Sequence, residues 1–232
     1  MAITESYGRD GVSITNSEYS VVNGSTTPAT STTSGIYQFI VDPAVAMVKG
    51  DEFTARIMEK VELTGGTQRQ ACQFKLCNAI DRAVEFPPLM LMHGHDQRIV
   101  RNSANSRNFD LSVRRLGNCA ELYEQDGLSV SGTELSLTGG TSSLQSITTA
   151  GVFQLWLDLN AMAKGDEFRA RCYEKVDTSA GTKRVLWEAT FYDAQSEIFY
   201  SEFTTLYAGW EMTIIKLAGT DRAIDASIRY AS

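Results

Sequence analysis

The sequence DEFTARIMEKVELTGG at residues 51–66 recurs as DEFRARCYEKVDTSAG at residues 166–181. The two stretches share nine of 16 residues without a gap, at an offset of 115 in a chain of 232 residues. Solenoid repeats are much shorter than this, whereas a repeat of this length has the size of a small domain. The sequence therefore predicts that one domain was duplicated within the chain.

The similarity extends to both sides of this stretch. Upstream, GIYQFIVD at residues 35–42 matches GVFQLWLD at residues 151–158 at an offset of 116, which implies one extra residue in the first copy. Downstream, DLSVR at residues 110–114 matches DASIR at residues 225–229. We therefore predict two homologous domains, residues 1–117 and residues 118–232.

Each predicted domain contains a polar stretch near its start. Residues 11–34 hold 12 Ser or Thr in 24 positions, and residues 128–150 hold 11 in 23. One interpretation is an edge strand followed by an exposed loop. The other is an adaptable Ser/Thr-rich arm that becomes ordered against a neighbouring subunit.

Short β-strands separated by turns are the pattern inside each copy. Phe109–Arg114 alternates apolar and polar residues, as a half-buried antiparallel strand does. Lys49-Gly50-Asp51 and its counterpart Lys164-Gly165-Asp166 are turn signals. The prediction is an all-β chain of two tandem antiparallel β-sandwiches, jelly-roll-like or immunoglobulin-like. In the first copy the predicted strands are 18–22, 35–41, 52–61, 69–77, 85–92, 97–102 and 109–115.

A single turn of helix is also predicted after one strand of each copy. Asp42–Met47 and Asp158–Ala163 each begin with an Asp that could cap a helix and continue with residues that favour helices. Neither segment is long enough to support a catalytic site.

The net charge of −7 is distributed unevenly along the chain. Residues 1–116 hold 12 acidic and 12 basic side chains, and residues 117–232 hold 16 acidic and nine basic ones. An acidic chain is repelled by phosphate groups, so we expect neither a nucleic acid nor a membrane as its partner. Two copies with unlike charge are expected to face different neighbours.

The N-terminus and the cysteines favour an intracellular site of synthesis. Residues 1–6 lack the basic and apolar regions of a Sec signal peptide, so we expect the protein to be made soluble. No apolar run reaches the length of about 20 residues that a membrane helix needs. The four cysteines form no CxxC pair, and we expect all of them to be buried free thiols.

Few residues indicate chemistry. His93, His95 and Asp96 could supply two or three ligands of a zinc ion, because the spacing of the histidines places both on one side of a strand. The second copy has no histidine at these positions, so no metal site and no cofactor are predicted. No hydrolase, metalloprotease, P-loop or dinucleotide motif occurs, so we predict that the protein is not an enzyme.

Carboxylates that recur in both copies are the candidates for a catalytic pair. Asp42 and Asp158 are interpreted as helix caps, and Glu59 and Glu174 as partners of the lysines that follow them. These roles are structural.

Arginines and tryptophans are the candidates for an interface. The arginines lie in one stretch with acidic residues between them, so they form either a solvated sheet face or a docking surface for an acidic protein. Two tryptophans stand where the first copy has a cysteine and a histidine, and they are candidates for stacking on a sugar or for packing. Trp156 is predicted to be in the core, and Arg114 and Arg229 to point outward. The candidate interface residues are Arg98, Arg101, Arg107, Arg115, Trp187 and Trp210.

The repeated motifs resemble those of small β-sandwich structural proteins of bacteriophage virions. The resemblance rests on Gly-[Ile/Val]-[Tyr/Phe]-Gln followed by three apolar residues and Asp, on Gly-Asp-Glu-Phe-x-Ala-Arg-x-x-Glu-Lys-Val, and on Gly-Thr-x-Arg. The sequence GWEMTI at residues 209–214 and KLAGTDR at residues 216–222 also belong to it. It covers about 100 residues of each copy, and the first copy departs from it at residues 93–108.

This resemblance implies a virion component, most specifically a head decoration or cement protein. It implies capsid proteins of the same virion as partners. The duplication itself motivates the hypothesis of a homo-oligomer, since three chains would present six similar domains. The alternatives are a jelly-roll protein that forms the shell itself and a spike or glycan-binding module of the virion.

Overall fold

Regular structure in this chain is entirely β in the part described by the computed structural model, which covers residues 3–44, 47–62, 65–103, 105–175 and 181–232. None of these residues forms a helix, and so none forms one that could cross a membrane. The chain divides into two compact units: unit 1 is Met1–Ala120 with Ser232, and unit 2 is Glu121–Ala231. The boundary at residues 117/118 stays a prediction of the sequence.

Unit 1 is built from two antiparallel sheets. One sheet has the order β1-β9-β3-β6, with β7 also paired to β3, and the other has the order β2-β8-β4-β5. If β6 and β7 are taken as two pieces of one strand, eight strands form two four-stranded sheets, which is a jelly roll. The strands are β1 Thr4–Ile14, β2 Tyr19–Ser20, β3 Gly35–Pro43, β4 Glu52–Lys60, β5 Arg69–Cys77, β6 Val84–Glu85, β7 Leu89–Leu91, β8 His93–Arg101 and β9 Arg107–Gly117.

Unit 2 repeats the same arrangement strand for strand. Its sheets have the orders β10-β18-β12-β15, with β16 also paired to β12, and β11-β17-β13-β14. The predicted fold class, two antiparallel jelly-roll-like sandwiches, is confirmed. The strands are β10 Cys119–Val130, β11 Leu135–Ser136, β12 Gly151–Asp158, β13 Glu167–Glu174, β14 Arg184–Tyr192, β15 Phe199–Tyr200, β16 Thr204–Leu206, β17 Glu211–Ala218 and β18 Arg222–Ala231.

Alternating side chains from the two sheets of each unit form its core. In unit 1, Tyr37, Phe39 and Val41 are buried on β3, since every second residue of a strand points to the same face. Phe53 on β4 meets Phe109 on β9 with ring centroids 4.8 Å apart, so the rings join the two sheets. Burying one such ring contributes about 1.5–3 kcal/mol to folding.

A tryptophan occupies the centre of the core in unit 2. Trp210 is fully buried and lies 4.7 Å from Phe153 of β12, measured between ring centroids. In unit 1 the same position holds His95, whose ring lies 4.9 Å from that of Tyr37. Trp210 and His95 thus occupy equivalent places in the two cores. Of the two roles considered for Trp210, the structure shows packing, so Trp210 is removed from the candidate interface residues.

One of the two predicted turns of helix differs from the structure, and the other is only partly described. Asp158–Ala163 forms a hydrogen-bonded turn in which Met162 N donates to Leu159 O, and not a helix. Asp158 Oδ1 accepts from Asn160 N at the start of this segment, since a short Asp side chain competes with helical backbone bonds. In the first copy, Val45 and Ala46 of the predicted turn lie outside the described residues.

The cysteines are not uniformly buried. Cys119 and Cys172 are buried, and burial raises the pKa of the Cys172 thiol to about 12, which makes it unreactive. Cys72 is half-buried and Cys77 is exposed, because both lie on β5, the last strand of its sheet. The expectation of four buried thiols is corrected for these two.

Candidate functional site

The aspartate of the repeated Gly-Asp-Glu-Phe motif anchors the turn that precedes β4 or β13. In unit 1, Asp51 Oδ2 accepts from Val48 N at 2.9 Å and from Arg107 Nε at 2.7 Å. Burial alone would raise the pKa of Asp51, but these two hydrogen bonds outweigh it and lower the pKa. The carboxylate is therefore held ionised by the scaffold.

Asp166 repeats this arrangement in unit 2. Its carboxylate accepts from Thr220 N at 2.9 Å, Ala163 N at 2.8 Å and Arg222 Nε at 2.7 Å. The two backbone donors and the guanidinium lower the pKa of Asp166 to about 2. Arg107 and Arg222 thus have the same structural role, since each donates a hydrogen bond to the aspartate of its own unit.

Glu59 and Glu174 also bind backbone groups. Glu59 Oε1 accepts from Met92 N at 3.0 Å and from His93 N at 2.6 Å, and Glu174 Oε1 accepts from Tyr207 N at 2.6 Å. Each carboxylate thereby holds the segment before β8 or β17 against its own strand. The structural role predicted for this pair is consistent with these contacts, although the partners include backbone amides.

His95 and Asp96 have partners other than a metal. His95 Nε2 lies 3.1 Å from Thr33 O, and its Nδ1 lies 3.4 Å from Gln97 Nε2. Asp96 accepts from Ser20 Oγ, Ala29 N and Arg98 Nε at 2.6–2.9 Å.

Gly94, between His93 and His95, has φ of 63°, and an extra residue in β8 shifts the register opposite Met58 and Lys60. This bulge breaks the alternation on which the zinc hypothesis depended.

The predicted arginine surface is mostly engaged within unit 1. Arg98 is only 8% exposed and pairs with Asp96 at 2.6 Å and Glu18 at 3.2 Å, so it is removed from the candidate docking surface. Arg101 donates to Ser106 Oγ, and Arg115 donates to Ser34 O and to Asn118 Oδ1.

For Arg101, Arg107 and Arg115 a role at an interface stays a prediction. Arg114 is exposed, but Arg229 is fully buried over the Trp156 ring at 4.4 Å, which corrects its expected outward position. Trp156 is buried as predicted.

Trp187 lies at the edge of a cleft of about 460 Å³ in unit 2. The indole is half-buried, and its Nε1 donates to Thr204 Oγ1 at 3.2 Å. One wall is the stretch of β14 from Trp187 to Ala189, and the other is the segment from Phe199 to Thr205. The volume lies in the range of about 300–1,000 Å³ that is typical of small-ligand sites.

The same place in unit 1 is filled by phenylalanine side chains. Phe86 is 1% exposed, and its ring lies 5.0 Å from that of Phe39 and 4.7 Å from that of Phe74. Backbone contacts identify the counterparts: Phe86 N donates to Phe39 O as Ser201 N donates to Leu155 O. Phe74 pairs with Ala55 as Ala189 pairs with Ala170.

The cleft therefore lies where unit 1 has larger side chains, with Ala189 and Ser201 among its lining residues. Phe39, Phe74 and Phe86 of unit 1 correspond to Leu155, Ala189 and Ser201 of unit 2. Ser201 Oγ accepts from Leu155 N and donates to Glu202 O, both at 2.9 Å, so the backbone around the small side chain remains hydrogen-bonded.

Acidic groups lie in the wall of the cleft. Glu188 is half exposed and pairs with Arg171 at 3.2 Å, while Glu202 lies on the exposed rim. None of the ten described lining residues is basic. The chemistry that this arrangement can offer is aromatic surface next to carboxylate oxygens.

Sequence reasoning identified Trp187 but missed the segment opposite it. Phe199, Tyr200 and Phe203 form an aromatic run that the first copy lacks, since Val84, Glu85 and Pro88 stand at the corresponding positions. Comparing the copies for differing phenylalanines would have marked these positions as changed, although not as neighbours in the fold.

Comparisons with known proteins give weak likenesses only. No family model matches the chain, and no curated protein matches it. The exported protein XepA of PBSX is similar at 7% identity with a TM-score of 0.33, over 100% of this chain and 86% of that one. A tandem CBM22 domain of Xyn10C from Paenibacillus barcinonensis gives 10% identity and a TM-score of 0.28, over 93% and 82%.

A third solved structure is an enzyme. A peptide-N(4)-(N-acetyl-β-D-glucosaminyl) asparagine amidase gives 12% identity and a TM-score of 0.38, over 100% of this chain and 96% of that one. At such scores these likenesses carry no inference about function.

Proposed function

We propose that this chain is a structural protein of a bacteriophage virion, and more specifically a decoration or cement protein that stabilises the head shell. The observation that carries the proposal is that one jelly-roll framework is present twice, with the same strand order and the same buried anchors. Jelly rolls recur in viral capsid and lectin domains. The resemblance of the repeated motifs to virion proteins supports the same assignment.

Charge adds a second argument. Residues 1–120 carry 12 acidic and 12 basic groups, whereas residues 121–231 carry 16 and nine. Two frameworks that share their internal contacts but differ in charge suit a protein that meets two kinds of neighbour in an assembly. The proposed partners are capsid proteins of the same virion, with no nucleic acid and no membrane involved.

A homo-oligomer is part of the proposal. Three chains of two similar units would present six units, which matches a sixfold position of a capsid lattice. Mass photometry of the free protein and of protein released from particles is the test. A strict monomer in both preparations would contradict this part of the proposal.

Removing the protein from purified particles tests the decoration role. We expect stripped particles to keep their shape and to open at a lower temperature, because a cement protein adds contacts to a shell that is already closed. Re-addition of the purified chain should restore the opening temperature. Particles that fail to assemble without the protein would identify it as a shell protein, and a location at the tail would identify it as a spike component.

We also propose that the chain is not an enzyme. The recurring carboxylates Asp51, Asp166, Glu59 and Glu174 are engaged by backbone amides, and two of them also by arginines. Carboxylates held in this way are better placed to stabilise the fold than to transfer protons, because a proton-transfer group needs access to substrate. Hydrolysis of host cell-wall or capsule polymers by the purified chain would contradict this.

A further inference from the structure

The cleft of unit 2 lies beside an edge strand. β14 is the last strand of its sheet in the described part of unit 2. An edge strand presents a row of N–H and C=O groups that can pair with another chain. Val185 and Leu186 on this strand are 45% and 46% exposed, and Phe203 on the opposite wall is 40% exposed.

The edge strand of unit 1 differs in the features that discourage such pairing. β5 is equally the last strand of its sheet, but its exposed side chains include Gln73 and Lys75 on either side of Phe74, which is 37% exposed. Natural edge strands are protected by charged residues, lysine above all. Gln70, Ala71 and Lys75 of β5 correspond to Val185, Leu186 and Thr190 of β14.

The charge of the cleft favours a basic side chain as its occupant. Glu202 lies on its exposed rim, whereas the Glu188 carboxylate is paired with Arg171, and no described lining residue is basic. The faces of Trp187 and Phe203 add aromatic surface. A Lys or Arg side chain between the Glu202 carboxylate and aromatic rings is favoured by ion pairing and by cation–π attraction.

We propose that the cleft and the edge of β14 together bind an extended segment of a partner protein that carries a Lys or Arg side chain. The segment adds to the sheet as a strand beside β14, and its basic side chain enters the cleft between Trp187 and Glu202. Main-chain pairing supplies the affinity and the cleft supplies the specificity. That the partner is a virion protein rests on the proposed function, whereas the site itself does not.

Binding can be followed through tryptophan fluorescence. The chain has three tryptophans, of which Trp156 and Trp210 are fully buried, so Trp187 is the one placed to respond in the cleft. The probe is a blocked seven-residue peptide of alternating Thr and Val with Arg at its centre. We expect saturable binding and slower hydrogen exchange at the amides of β14. Replacing the central Arg by Glu should weaken binding at least about tenfold.

Two variants test the two halves of the site. Glu202→Gln should weaken the Arg peptide about threefold, since a rim carboxylate contributes modestly. The double variant Ala189→Phe with Ser201→Phe places in unit 2 the side chains that fill unit 1, and it should abolish binding. Far-UV circular dichroism checks that the double variant is folded, and the charge-reversed peptide tests the proposal even if it is not.

The outcomes separate this proposal from its rivals. Equal binding of the Arg and Glu peptides, or no binding of either at millimolar concentration, would overturn it. Binding of a neutral oligosaccharide in the cleft with no peptide binding would also overturn it and would assign a glycan site. Failure of the peptide to bind would leave the particle experiments unaffected, so the two proposals can fail separately.

Discussion

Unit 1 and unit 2 share a backbone framework, but one region of it is filled by side chains in unit 1 and open as a cleft in unit 2. Where Phe39, Phe74 and Phe86 fill the space beside β5, Leu155, Ala189 and Ser201 leave a cleft beside β14. The backbone contacts of this region persist, because Ser201 N still donates to Leu155 O. A duplicated framework can therefore gain a concave site by shortening side chains, with no change of strand order.

Phe86→Ala should have the largest effect on stability. The ring is 1% exposed and packs on two other phenylalanines, so its removal should lower the free energy of unfolding by about 3–5 kcal/mol. Urea denaturation of the full chain followed by circular dichroism measures this.

The matched change in unit 2 is Ser201→Ala. It removes two hydrogen bonds but no packed ring, and we expect a loss of about 1–3 kcal/mol. Equal losses from Phe86→Ala and Ser201→Ala would show that the phenylalanines do not fill unit 1 more tightly than the small residues fill unit 2. The three tryptophans all lie in unit 2, so fluorescence provides a second signal for that unit.

A buried carboxylate gives a second contrast. Asp96 binds Ser20, Ala29 and the buried Arg98, whereas Glu211, at the equivalent position, binds Ser136, Thr138 and Gln145. Asp96→Asn weakens the pairing of a buried guanidinium and should cost about 3 kcal/mol.

Glu211→Gln should cost about 1–2 kcal/mol, because Thr213 stands where unit 1 has Arg98 and the hydrogen bonds to the carboxylate from Ser136 and Thr138 come from neutral donors. Differential scanning calorimetry of the two single variants measures the contrast. A larger loss of stability in Glu211→Gln than in Asp96→Asn would contradict this explanation. Arg98→Met in the Asp96→Asn background should recover part of the lost stability.

Replacing the glycine near the start of β8 or just before β17 by alanine should lower the stability of the chain by a similar amount. Gly94 and Gly209 have φ of 63° and 64°, which a residue with a Cβ adopts at a cost of about 1–2 kcal/mol. An added Cβ at Gly209 would also lie 2.7 Å from Lys175 Cδ, but that side chain can move. Gly94→Ala and Gly209→Ala should therefore lower stability by similar amounts.

Gly132→Ala is the control for both glycine variants. Gly132 is exposed, has no positive φ, and a Cβ there would meet nothing within 4 Å. Its melting temperature should stay close to that of the parent chain. A similar drop in all three variants would indicate that the left-handed backbone is not the cause.

Most of the fold could be predicted from the repeated sequence. The period-2 pattern in Phe109–Arg114 and the turn signals at Gly50 and Gly165 identified an all-β chain, because alternation and turn chemistry are local. The first strand, Thr4–Ile14, was not anticipated, since it is mostly exposed and has two register shifts that disrupt its pattern.

The site was harder to predict because it depends on pairs that meet only in the fold. Arg98 pairs with Asp96 two residues away on the same strand, but its burial also depends on Glu18, which is distant in the chain. Arg229 lies over Trp156 of the neighbouring strand β12, a contact that spacing along the chain does not reveal. The cleft itself requires knowing that residues 39, 74 and 86 converge. Sequence comparison of the two copies shows each substitution but not their convergence.

The smallest expected effect is a pH dependence that is centred on Asp166. Its pKa is about 2 in the folded chain, against an ordinary value of 3.8, because Thr220 N, Ala163 N and Arg222 stabilise the ionised form. The unfolded chain therefore takes up this proton at higher pH than the folded chain does. The stabilising contribution is fully present above pH 3.8 and is lost as the pH falls to about 2.

Asp166→Asn removes the titrating carboxylate. The free energy of unfolding should therefore fall less steeply between pH 3.8 and about 2 in the variant than in the parent chain. Urea denaturation at several pH values in this window measures the two slopes, and their difference cancels the contribution of the other carboxylates. Asp51→Asn should act in the same direction, since the pKa of Asp51 is also lowered by its hydrogen bonds. Parallel slopes for parent and Asp166→Asn would mean that the bonds from Thr220, Ala163 and Arg222 do not favour the ionised carboxylate, and the shared anchor would then owe its stability to geometry alone.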